Sequence, residues 1–284
     1  MRNPYKRTDV YVCNYETHAK FANRVSVYHV QHVKKCYPQG CIIFKWSCDL
    51  LNKGKKCVRG YQYVGRLCQG CVHYSDEKIH YQPQIALSAI EFENFKEEVE
   101  EFDEWLSGVR NSTVTFWGEI DSIKPRFKKV IAGGGGQIRL DGYLLIFRRG
   151  FIGAESFDDY FYARISPFQQ ERLSLARGDQ FEAKGHLTFD RGRIIMSKMW
   201  NLEFDSRSGK ETWNNSQALV ARESATLIST QPETCLHCSK GALVDVVEKK
   251  KGLATMRRAL YCLEGITDPK LCYVNAMEKI DQCA

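Results

Sequence analysis

The sequence predicts a mixed fold: a small all-β unit in the middle of the chain, flanked by two cysteine-rich metal-binding modules and preceded by an amphipathic linker helix. Three observations predict it. The 12 cysteines fall into two clusters, with none between residues 72 and 234. Hydrophobic periodicity changes from helical to two-residue near residue 113. Charge is partitioned as well: residues 1–83 hold 14 Lys/Arg against 5 Asp/Glu, and residues 84–112 hold 2 against 8. Residues 113–206 hold 14 against 12 and residues 207–284 hold 11 against 9, so the excess of +7 sits at the amino-terminal end. These boundaries give four segments: 1–83, 84–112, 113–206 and 207–284.

At 43% hydrophobic residues the chain has enough apolar material for more than one core, which excludes disorder over most of it. No apolar run approaches the roughly 18 residues of a membrane span, and the start, MRNPYKRTDVYVCNYETHAK, lacks the apolar stretch of a secretory signal. The expectation is a cytoplasmic protein without a membrane partner. In a reducing compartment so many cysteines point to metal or cluster ligation.

In the first module Cys36, Cys41, Cys48, Cys57, Cys68 and Cys71 are the expected ligands, while Cys13 lies in the same cluster. Only Cys68 and Cys71 form a Cys-x2-Cys knuckle, whose sulfurs can reach one ion from a tight turn relieved by Gly70. Single cysteines brought in by folding would complete the site, an arrangement that tetrahedral Zn2+ and a [4Fe-4S] cluster both accept. The segment also interleaves Lys34, Lys35, Lys45, Lys53, Lys55, Lys56, Arg59 and Arg66 with Tyr37, Phe44, Trp46, Tyr61 and Tyr63. Cations neutralise phosphates and rings stack on bases, so this mixture suits single-stranded DNA or RNA. The plainer reading is a small metal-held domain with aromatic core and solubilising lysines.

In QIALSAIEFENFKEEVEEFDEWLSGVR, Leu87, Ile90, Phe95, Val99, Phe102 and Leu106 recur every three to five residues, which predicts the linker helix, ended by Gly108. Its acidic face reads as a solvated surface, with a protein partner as the alternative.

From residue 113, TVTFWGEI, DGYLLIFRR, DYFYARIS, DQFEAKGHLTF and RIIMSKMWNLEF read as strands, with PFQQERLSLARG as a short helix between the third and fourth. This order over about 90 residues resembles the OB-fold, a five-stranded Greek-key barrel with a helix between strands three and four. The phrase RGDQFEAKGHLTF followed by RGRIIMSKMWNLEF resembles the last two strands of such barrels. The resemblance implies oligonucleotide binding on the face of strands two and three. By location, Tyr143, Phe147, Tyr160, Tyr162 and Arg164 would then contact bases together with Trp117, and Lys124, Arg126, Lys128 and Lys129 in the first loop would contact phosphates. Alternation turns Phe161, Ala163 and Ile165 inward. The glycine run at 133–136 reads as a loop between strands, because it lacks the lysine and the helix of a phosphate-binding loop.

The last module pairs a second knuckle, Cys235 and Cys238, with Cys262 and Cys272, and leaves out Cys283 beside the chain end. Leu243, Val244 and Val247, then Met256, Leu260 and Leu263, suggest two short helices around that site. His73 and His237 offer alternative zinc ligands. There is no nucleophile elbow, no His-Glu-x2-His pair and no His-x-Glu of a zinc deaminase, so no catalytic residue is assigned. The sequence therefore points to a nucleic-acid-binding protein with structural metal sites. An iron-sulfur electron-transfer subunit of a larger complex and a structural assembly subunit are the alternatives.

Overall fold

The computed structural model of the chain describes residues 1–132, 135–228, 235, 238–250 and 253–272. Two units are separable: Arg7–Glu93, and a larger one formed by Met1–Lys6 with Asn94–Ala284.

In the Arg7–Glu93 unit, regular structure is sparse. Strand β1 (Tyr11–Val12) pairs antiparallel with β2 (Arg24–Val25) and will also pair with β5 below. Strand β3 (Cys41–Cys48) runs into the single turn α1 (Asp49–Asn52) and returns as β4 (Tyr74–Tyr81), with Cys41 opposite Tyr81 and Cys48 opposite Tyr74. Strand β5 (Gln84–Ile85) pairs with β1 on its other side. The buried apolar side chains are Val10, Tyr11, Val25, Val27 and Val30 together with Cys13, Cys36 and Cys48. A core this small, stretched between two-residue strands, is of the kind that depends on cross-links or metal for stability.

Helix α2 (Ala89–Val109) follows, with Phe95, Phe102 and Leu106 buried and Ile90 exposed. The carboxylates lie on its other faces, as the spacing predicts, and the helix ends one residue beyond Gly108.

The larger unit continues with β6 (Thr113–Ala132), β7 (Gly135–Ile152), β8 (Glu155–Phe157) and β9 (Phe161–Ile165), then α3 (Pro167–Leu173), β10 (Gln180–Asp190) and β11 (Arg193–Ser206). Each stretch expected as a strand between residues 113 and 206 is one. Helix α3 begins at a reciprocal cap in which the Ser166 hydroxyl accepts from Gln169 N and the Gln169 side chain accepts from Ser166 N. After α4 (Asn215–Ser224) come β12 (Thr226–Leu227), β13 (Gly241–Lys250) and β14 (Leu253–Cys262).

The architecture corrects the expected fold class. The chain does not hold a small OB-like barrel between metal modules: one nine-stranded mixed sheet runs β12-β14-β13-β6-β10-β11-β9-β7-β8. An additional β6–β7 pairing closes five of these strands into a ring, but β6 extends beyond it and carries β13 alongside in parallel register, Val247 opposite Val130. The expected carboxy-terminal helices are also overturned, because Leu243 to Leu260 form the β13–β14 hairpin. The physical reason is that burial there alternates: Ala242, Val244 and Val246 pack with Ala259, Tyr261, Leu263 and Phe127. A valine-rich stretch with alternating burial satisfies a strand better than a helix.

Inside the ring, Phe147 stacks on Phe161 at an interplanar angle of 8° and 4.8 Å between ring centres, and Phe116 and Phe181 meet it edge-on. Gly118 lies beneath this stack: a Cβ there would stand 2.7 Å from Phe147 Cδ1. No helix among the described residues is long and apolar enough to cross a membrane.

Candidate functional site

Four cysteines of the first module gather at one end of the β3–β4 hairpin. Cys48 closes β3 opposite Tyr74, Asp49 N donates to His73 O at 3.0 Å, and Tyr74 N donates to Cys71 O at 3.0 Å. Cys68 and Cys71 are joined by a tight turn, Cys71 N to Cys68 O at 3.0 Å, with Gly70 at φ 79°. The Cys57 loop is clipped to this turn by Arg59, whose guanidinium donates to Leu67 O at 3.0 Å. Arg59 N also donates to Cys57 Sγ at 3.4 Å, and this backbone donor, with that of Tyr61, holds the Cys57 thiol below its ordinary value. A lowered thiol releases its proton to a metal more readily.

Cys36 and Cys41 do not join that group. They line a separate hollow with Cys13, His18, His29 and Lys34, with room for about one water-sized sphere. Burial, with Cys41 and Cys13 close by, pushes the Cys36 thiol up. Burial, then His18 and Lys34, keeps the His29 imidazole below its usual value and therefore neutral near pH 7.

In the larger unit Cys235, Cys238, Cys262 and Cys272 line one hollow with Ile228, Ile266 and Pro269. Lys240 N donates to Cys238 Sγ at 3.4 Å. Gly241 is required there by close approach, since a Cβ would stand 1.9 Å from Cys235 O. His237 and Cys283 lie outside the described residues. Among the described residues no three His, Cys, Asp or Glu side chains are grouped tightly enough to hold a metal ion as they stand.

The β3–β4 hairpin carries a second feature. Ile42, Phe44 and Trp46 share one strand face and are 49%, 54% and 38% exposed. Their cross-strand neighbours are His80, Lys78 and Asp76. Tyr63 is exposed nearby in sequence, and Arg59 lies over the Tyr61 ring at 5.8 Å. Isolated exposed apolar residues need no explanation, whereas an alternating aromatic stripe left in water marks a contact surface.

No family model, curated protein or solved structure matches the chain. The geometry therefore carries the functional reading.

Several residues expected at an oligonucleotide face are elsewhere. Tyr143 and Phe147 are fully buried in the ring core, and Tyr143 donates its hydroxyl to Asn215 Oδ1 at 3.0 Å. The segment YLLIF is apolar on both sides, and the larger rings filled the interior. Lys124, Arg126, Lys128 and Lys129 do not sit in a loop, because β6 continues to Ala132. Gly135 and Gly136 likewise belong to β7, while residues 133 and 134 lie outside the described residues. Lys124 is buried and donates to Cys238 O at 2.7 Å and Gly241 O at 3.2 Å, so it supports the second cysteine loop rather than a phosphate. Burial lowers its pKa to about 8. Arg126 pairs with Asp141, Lys129 Nζ donates to Tyr261 Oη at 3.3 Å, and Lys128 is exposed. Trp117 Nε1 donates to Asp205, and its ring meets Phe151 at 6.1 Å.

Lys124→Met should cost about 1–3 kcal/mol of unfolding free energy, since two buried carbonyls lose their donor while the volume is nearly kept. Urea unfolding measures it. A phosphate-contacting surface lysine would instead give a change within about 0.5 kcal/mol.

On strand β9, Phe161, Ala163 and Ile165 face inward as alternation predicts, leaving Tyr160, Tyr162 and Arg164 half-buried on the other face. There the sequence reading missed partners. Arg193 lies over the Tyr162 ring at 5.5 Å, Arg164 and Arg258 share Asp190, and Arg258 also pairs with Asp245. Lys6 faces Arg193 and Arg258, with Asp159 as counter-charge. Among the described residues neither Lys6 nor Arg193 makes an ion pair, and Arg193 Nε is buried without a hydrogen-bond partner. Burial first, then Arg193, lowers the Lys6 pKa to about 7. Residues so distant in sequence left no local signal.

Proposed function

We propose that this chain binds single-stranded DNA or RNA, with the face of the β3–β4 hairpin as stacking platform and cysteine-ligated metal as structural support. The observation that carries the reading is the exposed stripe of Phe44 and Trp46, with Lys78 and His80 as cross-strand neighbours on the same face and Asp76 opposite Trp46. Each ring offers a face to a base regardless of its identity, while Lys78 takes up backbone charge. Cys48, Cys57, Cys68 and Cys71 would hold the far end of the hairpin through Zn2+ or a [4Fe-4S] cluster, and Cys235, Cys238, Cys262 and Cys272 would do the same for the second loop.

In the larger unit Lys6 and Arg193, which make no ion pair among the described residues, lie beside Tyr162 and suit a phosphate next to a stacked base. Their placement supports the same ligand class independently of the hairpin.

Ultraviolet cross-linking to a single-stranded oligonucleotide, read by peptide mass spectrometry, tests the assignment. Cross-links are expected on the peptides that carry residues 42–46 and 59–63. An oligonucleotide that binds but cross-links nowhere on that hairpin would overturn its role.

The Lys6 site adds a pH dependence. Only protonated Lys6 attracts phosphate, and in the free protein it loses its proton near pH 7, whereas a bound phosphate retains it. Affinity at this site should therefore be level below about pH 6 and fall as pH rises past 7, by at most about tenfold per pH unit. Isotherms at pH 6 and 8.5 measure the fall, and Lys6→Met should flatten it.

A further inference from the structure

We propose that Cys13, His29, Cys36 and Cys41 form a zinc site of their own, distinct from the four cysteines at the far end of the β3–β4 hairpin. The two groups divide the seven cysteines of the first module into four and three, and a tetrahedral site built on three thiolates takes one imidazole.

The fold brings these four residues around one hollow from three separate elements. Cys13 follows β1, and its N donates to Asn23 O at 2.9 Å. His29 opens the helical turn His29–Val33. Cys36 is tied back to that turn by its N donating to Val30 O at 3.0 Å, and Cys41 is the first residue of β3. Cys13 and Cys36 are 2% and 4% exposed. The hollow they line admits a single small ion.

A second, independent observation points to a ligand. His29 Nε2 is buried and has no hydrogen-bond partner. A buried ring nitrogen without a partner forfeits about 1–3 kcal/mol of solvation, and native structures seldom leave one so. Metal coordination satisfies it. The His18 ring stands edge-on to His29 at 5.4 Å between centres. The plain alternative, three cysteines acting as small apolar side chains, explains their burial and leaves the His29 nitrogen unexplained.

As they stand, these side chains are not grouped tightly enough to hold a metal ion. Loading the site means that the three sulfurs and the imidazole close in on the hollow. Binding one Zn2+ by three thiols and one neutral imidazole releases three protons and involves no redox step. Such a site ties β1, the helical turn and β3 together in a unit whose strands are two residues long at β1, β2 and β5.

This inference uses residues outside the proposed nucleic-acid face and stands or falls separately from it. The test is metal stoichiometry of the full chain by native mass spectrometry, with the metal identified by elemental analysis. Cys13→Ser with Cys36→Ser is expected to lose one zinc equivalent, and Cys48→Ser with Cys71→Ser a different one. His29→Cys keeps the protein folded with four ligands; refilled with Co2+, it should retain full stoichiometry while one site's visible spectrum changes from sulfur-nitrogen to all-sulfur character. Unchanged stoichiometry in the Cys13/Cys36 double variant, an unchanged cobalt spectrum in His29→Cys, or iron with sulfide in place of zinc at this site would each overturn the proposal.

Discussion

Phe147→Ala is expected to lower the unfolding free energy by about 3–5 kcal/mol, among the largest effects of any single truncation in this chain. The ring lies at the centre of an aromatic cluster, stacked on Phe161 and met edge-on by Phe116 and Phe181. It also covers Gly118, where no Cβ would fit. Deleting it removes buried apolar area and leaves a cavity that rigid neighbouring rings cannot fill, so the transfer and cavity costs add. Denaturant unfolding by circular dichroism measures the change. A loss under about 1 kcal/mol would mean that Phe147 lies on the surface, where a nucleic-acid contact was expected from the sequence.

The second large effect is on binding. Phe44→Ala with Trp46→Ala should weaken single-stranded oligonucleotide binding by at least about 30-fold, because each stacked base contributes about 1–3 kcal/mol. Stability should change less than on truncating a buried ring, since Phe44 and Trp46 are 54% and 38% exposed. That combination separates a contact role from a packing role. Fluorescence anisotropy with a labelled oligonucleotide gives the affinity, and thermal unfolding gives the control. Equal affinity for the wild type and the double variant would remove the hairpin from the interface.

How far these features were legible depends on the local pattern. The strands between Thr113 and Ser206 alternate cleanly, and Ser166 with Gln169 marks the start of α3, so element type could be read there. Which face of β7 turns inward could not, because Leu144 and Ile146 are as apolar as Tyr143, Leu145 and Phe147. The β13–β14 hairpin misled for a related reason. Leu243, Val244 and Val247 fit a helical spacing, whereas the cross-strand packing with Ala259 and Tyr261 that makes them a strand is a non-local fact.

Among the cysteines, Cys235, Cys238, Cys262 and Cys272, which the sequence groups by a knuckle and two later single cysteines, line one hollow. Cys13 and His29 carried no motif, yet simple counting could have flagged them: seven cysteines leave three after one complete tetrahedral set. The cluster of Lys6, Arg193 and Arg258 had no such signal, since it joins the first residues of the chain to β11 and β14 only through the fold.

Anisotropy titration of the full chain with a single-stranded oligonucleotide, across a series of salt concentrations, measures whether binding is both electrostatic and by stacking, as proposed. The expected result is saturable binding whose affinity falls linearly on a log-log plot, with a slope that reports several phosphates neutralised and a residual affinity from stacking that salt does not remove. Absence of binding at low salt, or an affinity indifferent to salt, would contradict it.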